Sequence, residues 1–176
     1  MYKKIFFSVI FLSLTIALYL YLGGYRLLPE INTLQAQQKQ LREAISQASE
    51  KTQQEPKNAE NWALLGKLFM QSVQPEKASA AFKQAVLTSL GNPDYITDYA
   101  IALIVANQSQ VSDEALKSLK MALALDPKNK RALYFLAMSK SQQGDKAGAQ
   151  KIWKNLEKTL DKNDPLYLAV KEHIEP

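Results

Sequence analysis

One feature constrains this chain more than any other: a repeat of small and large residues along residues 56–176. Three alanines mark it, Ala78, Ala115 and Ala149, at intervals of 37 and 34 residues. Trp62, Leu65, Gly66 and Phe69 precede the first, and Phe82 and Ala85 follow it. Tyr99, Ala102, Leu103 and Ala106 precede the second, and Leu119, Ala122 and Pro127 follow it. Leu133, Leu136 and Ala137 precede the third, and Trp153 and Leu156 follow it. Apolar residues at i, i+3, i+4 and i+7 give each half-repeat the buried stripe of a helix. An alanine lets two backbones approach, and a large residue four places later fills the space beside the crossing.

A period of about 34 residues, two helices per period and a W-x2-L-G string are the tetratricopeptide (TPR) pattern. Three spare residues near Gly91-Asn92-Pro93 account for the longer first interval. Asp126-Pro127 and Asp164-Pro165 each pair a capping side chain with a proline at a first helical position. Gly144-Asp145 fits the tight turn inside the third repeat. Pro165–Ile174 forms one further helix, with Leu166, Leu168, Ala169 and Ile174 to cover the last repeat, as a solenoid end requires. The expected fold is all-α: an N-terminal transmembrane helix and a helical stalk, then a TPR solenoid of three helix pairs plus a C-terminal capping helix.

The expected domains are a membrane anchor over 1–29, a spacer over 30–55 and the TPR domain over 56–176. The run 5–22 carries no charge and spans roughly 27 Å as a helix, close to a bilayer core. Tyr19, Tyr21 and Tyr25 cluster at its far end, and Lys3 and Lys4 precede it, which places the N-terminus in the cytoplasm. The run is longer than a signal-peptide h-region and lacks an A-x-A-like cleavage site, so it is expected to remain as an anchor. The TPR domain is then expected in the periplasm, on a single-pass protein of a bacterial inner membrane. Residues 30–55 contain neither Gly nor Pro, and Ile31, Leu34, Leu41, Ile45 and Ala48 recur near heptad spacing. Gln38 interrupts that seam. A solvated stalk is expected, with self-association through 30–55 as an option.

Composition excludes several chemistries. There is no cysteine and one histidine, His173, so thiolate metal sites, haem attachment, multi-His sites and redox exchange have no ligands. No cofactor is implied. His173, near the end of the last helix, fits a helix-end cation better than a catalytic base. No H-E-x-x-H, G-x-S-x-G or P-loop string occurs, so no catalytic residue is assigned and the chain is not expected to be an enzyme. The net charge is +5, but residues 56–176 hold 16 bases against 13 acids. That is too dilute for a nucleic-acid stripe.

The expected function is binding on the concave face, which the first helix of each pair lines. Projected onto the pattern, the groove residues are Lys67 and Met70, then Thr97, Ile104 and Asn107, then Arg131, Tyr134, Met138 and Gln142. Met70, Ile104, Tyr134 and Met138 suit an apolar helix face. Lys67 and Arg131 suit acidic side chains or a terminal carboxylate. The two-carboxylate clamp of chaperone-binding TPR domains needs Lys and Asn at set places. Those places hold Ala63, Lys67, Ala100 and Ile104, so that clamp is absent.

Three strings carry a narrower resemblance: Asn61-Trp62-Ala63-Leu64-Leu65-Gly66, the stretch from Asp94 to Leu103 (DYITDYAIAL), and Ala122-Leu123-Ala124-Leu125-Asp126-Pro127. With Ala132-Leu133, Gly144-Asp145, Ala149 and Trp153 in the same order, residues 56–160 resemble bacterial cytochrome c biogenesis TPR proteins of the CycH/NrfG type. The resemblance implies a periplasmic domain that binds the C-terminal segment of apocytochrome c and presents it to haem lyase subunits in the membrane. Long members of that family carry two N-terminal transmembrane helices, where this chain shows one charge-free run. The alternative expectation is a single-span scaffold or chaperone-like partner of the protein-export translocon or another envelope assembly.

Overall fold

The computed structural model describes residues 13–19, 21 and 28–174. Among them the chain is all-helical. The helices are α1 (Leu28–Gln54), α2 (Ala59–Gln71), α3 (Pro75–Thr88), α4 (Pro93–Ala106), α5 (Asp113–Leu125), α6 (Lys130–Gln142), α7 (Lys146–Glu157) and α8 (Pro165–Ile174). The pairs α2/α3, α4/α5 and α6/α7 are the three TPR repeats, and α8 is the cap. Most of the membrane span expected over 5–22 lies outside the described residues. Among the described residues no helix is long and apolar enough to cross a membrane.

The chain divides into two compact units, 1–43 and 44–176, and α1 runs through the division. In the first unit Ile31 and Leu34 are exposed. In the second, the last turns of α1 are not a free stalk. Ala48 and Thr52 are buried, and Ala48 forms a cluster with Leu65 and Ala81 that Ile45, Trp62 and Phe69 pack against. Two of the five seam residues read in 30–55, Ile45 and Ala48, thus cover repeat one.

The core is a series of clusters, one at each step of the stack. Ala78, Phe82, Tyr99 and Ala102 join repeats one and two. Ile96, Ala100, Ile104, Ala115, Leu119, Ala122 and Ala132 join repeats two and three. Ala137, Ala149, Trp153, Leu156, Leu160 and Val170 join repeat three to the cap. Ala78, Ala115 and Ala149 are wholly buried, as helix crossings at those positions require. Leu119, also wholly buried, alone accounts for about 2–5 kcal/mol on truncation to alanine.

Six of the helices start on a side-chain cap, while α3 starts on Pro75 with no capping side chain. The Oδ1 atoms of Asn58, Asn92, Asn129, Asp145 and Asp164 accept from the N–H groups of Glu60, Asp94, Ala132, Gly148 and Leu166, and Ser112 Oγ accepts from Ala115. Asp164-Pro165 behaves as the sequence implies. Asp126-Pro127 does not, because α6 starts at Lys130 and its cap is Asn129. Asp126 Oδ1 instead accepts from Lys128 N–H and holds the preceding turn.

The turns inside the repeats share one geometry. The residue after the helix C-cap is left-handed: Val73 (φ 56°), Gln108 (φ 52°) and Gly144 (φ 86°). Each donates its N–H to Met70, Val105 or Ser141, and the next residue donates to Phe69, Ile104 or Lys140. This is the Schellman pattern, whose left-handed position glycine normally fills. Only the third repeat uses glycine there.

Candidate functional site

A cavity of about 680 Å³ opens where α4, α6 and α8 come together. Two of these are first helices of their pairs, the side of a TPR stack that faces a ligand. Arg131, Tyr134 and Phe135 reach it from α6, Asp94 from α4, and Pro165, Leu166 and Ala169 from α8. The turn before α6 adds Asp126, Lys128 and Asn129.

Its electrostatics are set by one deep pair. Asp98, in the middle of α4, has a side chain only 6% exposed, and its Oδ1 lies 2.5 Å from Arg131 Nη2. Lys130 pairs with Asp164 at 3.6 Å, and Asn129 Nδ2 donates to Asp94 Oδ1 at 3.2 Å. Tyr134 stands edge-on to Phe135, and its hydroxyl is 3.0 Å from His173 Nε2. Burial, then the charge of Glu172, pushes the Tyr134 hydroxyl above its ordinary value, so it stays protonated. His173 sits in the last turn of α8, as its place in the sequence implies. It is nevertheless half-buried, with its ring stacked on Trp153.

The expected groove residues separate into five groups. Arg131 and Tyr134 line the cavity. Lys67 is exposed and Met70 half-buried on α2, away from the cavity, with Met70 packed against the cluster between repeats one and two. Thr97 and Ile104 are corrections: their side chains are 0% and 1% exposed and belong to the core. Thr97 Oγ1 donates back to Pro93 O, and Ile104 packs in the cluster of repeats two and three. The reason is the central place of α4, which has neighbours on both sides and buries every residue from Ile96 to Ala100. Met138 is half-buried between two core clusters. Asn107 and Gln142 are exposed but hold the α4–α5 loop: Asn107 Nδ2 donates to Gln110 O, and Gln142 bonds Ser109 O and Val111 N–H.

The model of the family described as the cytochrome c-type biogenesis protein H TPR domain matches residues 29–167. This chain belongs to that family. It is 30% identical over 119 residues to the cytochrome c-type biogenesis protein CycH of Rhizobium meliloti (strain 1021), a match covering 68% of this chain and 31% of that one. It is 26% identical over 167 residues to the formate-dependent nitrite reductase complex subunit NrfG of Escherichia coli O157:H7, covering 87% of this chain and 83% of that one. The chain therefore spans about a third of the length of the CycH relative and most of that of NrfG. The crystal structure of MamA superposes with a TM-score of 0.64 at 19% identity, over 79% of this chain and 77% of that one, a likeness of fold. Within this CycH-type TPR domain the sequence reading missed Asp98, Phe135 and the α8 residues of the cavity. A signal for Asp98 existed. It is an acid inside an apolar stretch, and Arg131 follows 33 residues later, close to one repeat, which places the two charges side by side on neighbouring first helices.

Proposed function

We propose that this chain is a membrane-anchored periplasmic TPR protein that binds the C-terminal segment of apocytochrome c and presents it to the haem ligation machinery. The observation that carries the reading is membership of the cytochrome c biogenesis TPR family over residues 29–167. The cavity at Arg131 and Tyr134 supports a binding role, since it combines an apolar wall with an oriented cation. The charge-free run 5–22, preceded by Lys3 and Lys4, supports an inner-membrane anchor with a cytoplasmic N-terminus. The lack of cysteine suits a holder of reduced apocytochrome that takes no part in thiol exchange. Haem lyase subunits in the membrane are the partners this role requires.

The test is calorimetric titration of the purified chain with C-terminal peptides of apocytochromes c, using scrambled peptides as controls. Micromolar or tighter binding is expected, weakened about tenfold or more by Tyr134→Ala or Arg131→Glu, a loss of about 1.4 kcal/mol or more. No binding to any such peptide would overturn the reading and leave an envelope scaffold in its place.

A further inference from the structure

We infer that the cavity between α4, α6 and α8 receives the free C-terminal carboxylate of a bound chain, gripped by Arg131, with Asp98 as the residue that positions the guanidinium. The inference deepens the proposed function by naming what the site recognises, and the test below separates the two.

The argument starts from Asp98. A carboxylate this buried is costly unless a cation meets it, and the cation it meets is Arg131. The pairing is therefore built into the packing of α4 against α6, and it fixes one end of a side chain that otherwise has many conformations. Asp98 contacts Nη2. A guanidinium has five N–H donors in a planar fork, and the Arg131 side chain, 50% exposed, lines the cavity. Its unused donors are thus presented to the cavity in a fixed orientation, the arrangement that favours paired bonds to a carboxylate.

The acids lining the cavity already have partners, and the Lys128 ammonium adds a further cation to its wall. Asp94 accepts from Asn129, Asp126 from the Lys128 N–H, and Asp164 from the Leu166 N–H and the Lys130 ammonium. The acids therefore do not compete for Arg131. Beside it the wall is apolar, made by Tyr134, Phe135, Leu166 and Ala169. An apolar last residue offers both features at once, an α-carboxylate for the fork and a side chain for the wall. An internal Asp or Glu offers only the first. At about 680 Å³ the open cavity has room for roughly the last two or three residues of a chain.

The experiment titrates the full chain with two peptide sets, each made as free acid and as C-terminal amide. One set is apocytochrome c C-terminal peptides, and the other is a mixture of unrelated short peptides ending in leucine. Amidation is expected to weaken binding tenfold or more. Arg131→Lys, which keeps the charge and loses the fork, is expected to bring the acid-to-amide ratio close to one. Asp98→Asn is expected to do the same without touching the ligand, a change in ratio that a purely structural role would not produce. Should Asp98→Asn fail to fold, Arg131→Lys on the half-exposed side still decides. Equal binding of acid and amide forms of the cytochrome peptides would overturn the carboxylate site and leave the proposed function standing. Acid-dependent binding of the leucine-ended mixture alone would uphold the site and overturn the cytochrome reading. Binding of no peptide in either form would overturn both.

Discussion

The imidazole of His173 lies flat on the indole of Trp153, with ring centroids 4.3 Å apart and planes 9° from parallel. Trp153 is buried, and its Nε1 has no hydrogen-bond partner among the described residues, so stacking rather than hydrogen bonding holds the ring. The same imidazole meets the Tyr134 hydroxyl, and Gln150 Nε2 donates to the His173 backbone carbonyl. One residue of the cap thus ties α8 to both helices of repeat three. His173→Ala is expected to cost about 1–2 kcal/mol, from the lost ring pair and the lost hydrogen bond. His173→Phe keeps the stack and should cost less. Urea unfolding followed by tryptophan fluorescence ranks them, and a phenylalanine variant as unstable as the alanine variant would rule out stacking as the main contribution.

Val73 supplies a second prediction. It is β-branched, 84% exposed and left-handed, the one combination in the intra-repeat turns that sterics oppose most directly. A left-handed L-residue costs roughly 1–2 kcal/mol, while replacing it with glycine costs about 0.5–1 kcal/mol in chain entropy. Little packing is at stake at this exposure. Val73→Gly should therefore raise stability by about 0.5–1 kcal/mol, and Val73→Asn should also stabilise. Gly144→Val, at the equivalent turn of repeat three, should lower stability by about 0.5–1 kcal/mol, the same balance reversed. Urea midpoints of the three variants test this, and a destabilised Val73→Gly would mean that Val73 carries no strain.

These turns show what the sequence made legible and what it did not. The alanines at helix crossings, the glycine of the third turn and the proline starting α8 are local demands, each met by a residue type with few substitutes. The cavity is a different kind of feature. Arg131 and Tyr134 were visible because a TPR pattern assigns faces to helices. Thr97 and Ile104 were misplaced because the pattern does not say how many neighbours a helix has, and α4 is flanked on both sides. The role of α1 was hidden for a related reason. Its Gln- and Lys-rich composition reads as solvated, and the seam of Ile45 and Ala48 reads as a surface for self-association, because heptad spacing does not say which partner covers it.

Gly66 gives a contest of known terms. Alanine in place of a helical glycine normally gains up to about 1 kcal/mol. A Cβ at Gly66, however, would lie 2.7 Å from two ring carbons of Phe82, a side chain only 2% exposed. That ring cannot move without disturbing the contact of repeat one with repeat two, and overpacking of this kind costs about 1–3 kcal/mol. The clash should win, so Gly66→Ala is expected to destabilise. Phe82→Leu placed in the same chain should recover part of the loss, giving a coupling of about 0.5 kcal/mol or more in a double-mutant cycle. Additive losses would mean that the ring is not the obstacle.

The last prediction concerns pH. Tyr99 is buried, and its hydroxyl donates to Glu114 Oε1 at 2.6 Å. Burial, that hydrogen bond and the charge of the Glu114 carboxylate, in that order, push the phenol up to about 12 from an ordinary 10.0. The unfolded chain therefore releases this proton first. Between the two values the folded state binds more protons, so stability falls as pH rises. The contribution is complete below the ordinary tyrosine value and is lost as pH climbs to about 12. Tyr99→Phe has no proton to lose. The stability difference between the native chain and this variant should be constant at neutral pH and shrink steadily above about pH 10. Urea midpoints across that range measure it. Tyrosinate absorbance supplies an independent check, since the variant should lack one late-titrating phenol. A difference that stays flat through the window would show that the Tyr99–Glu114 contact does not hold the proton.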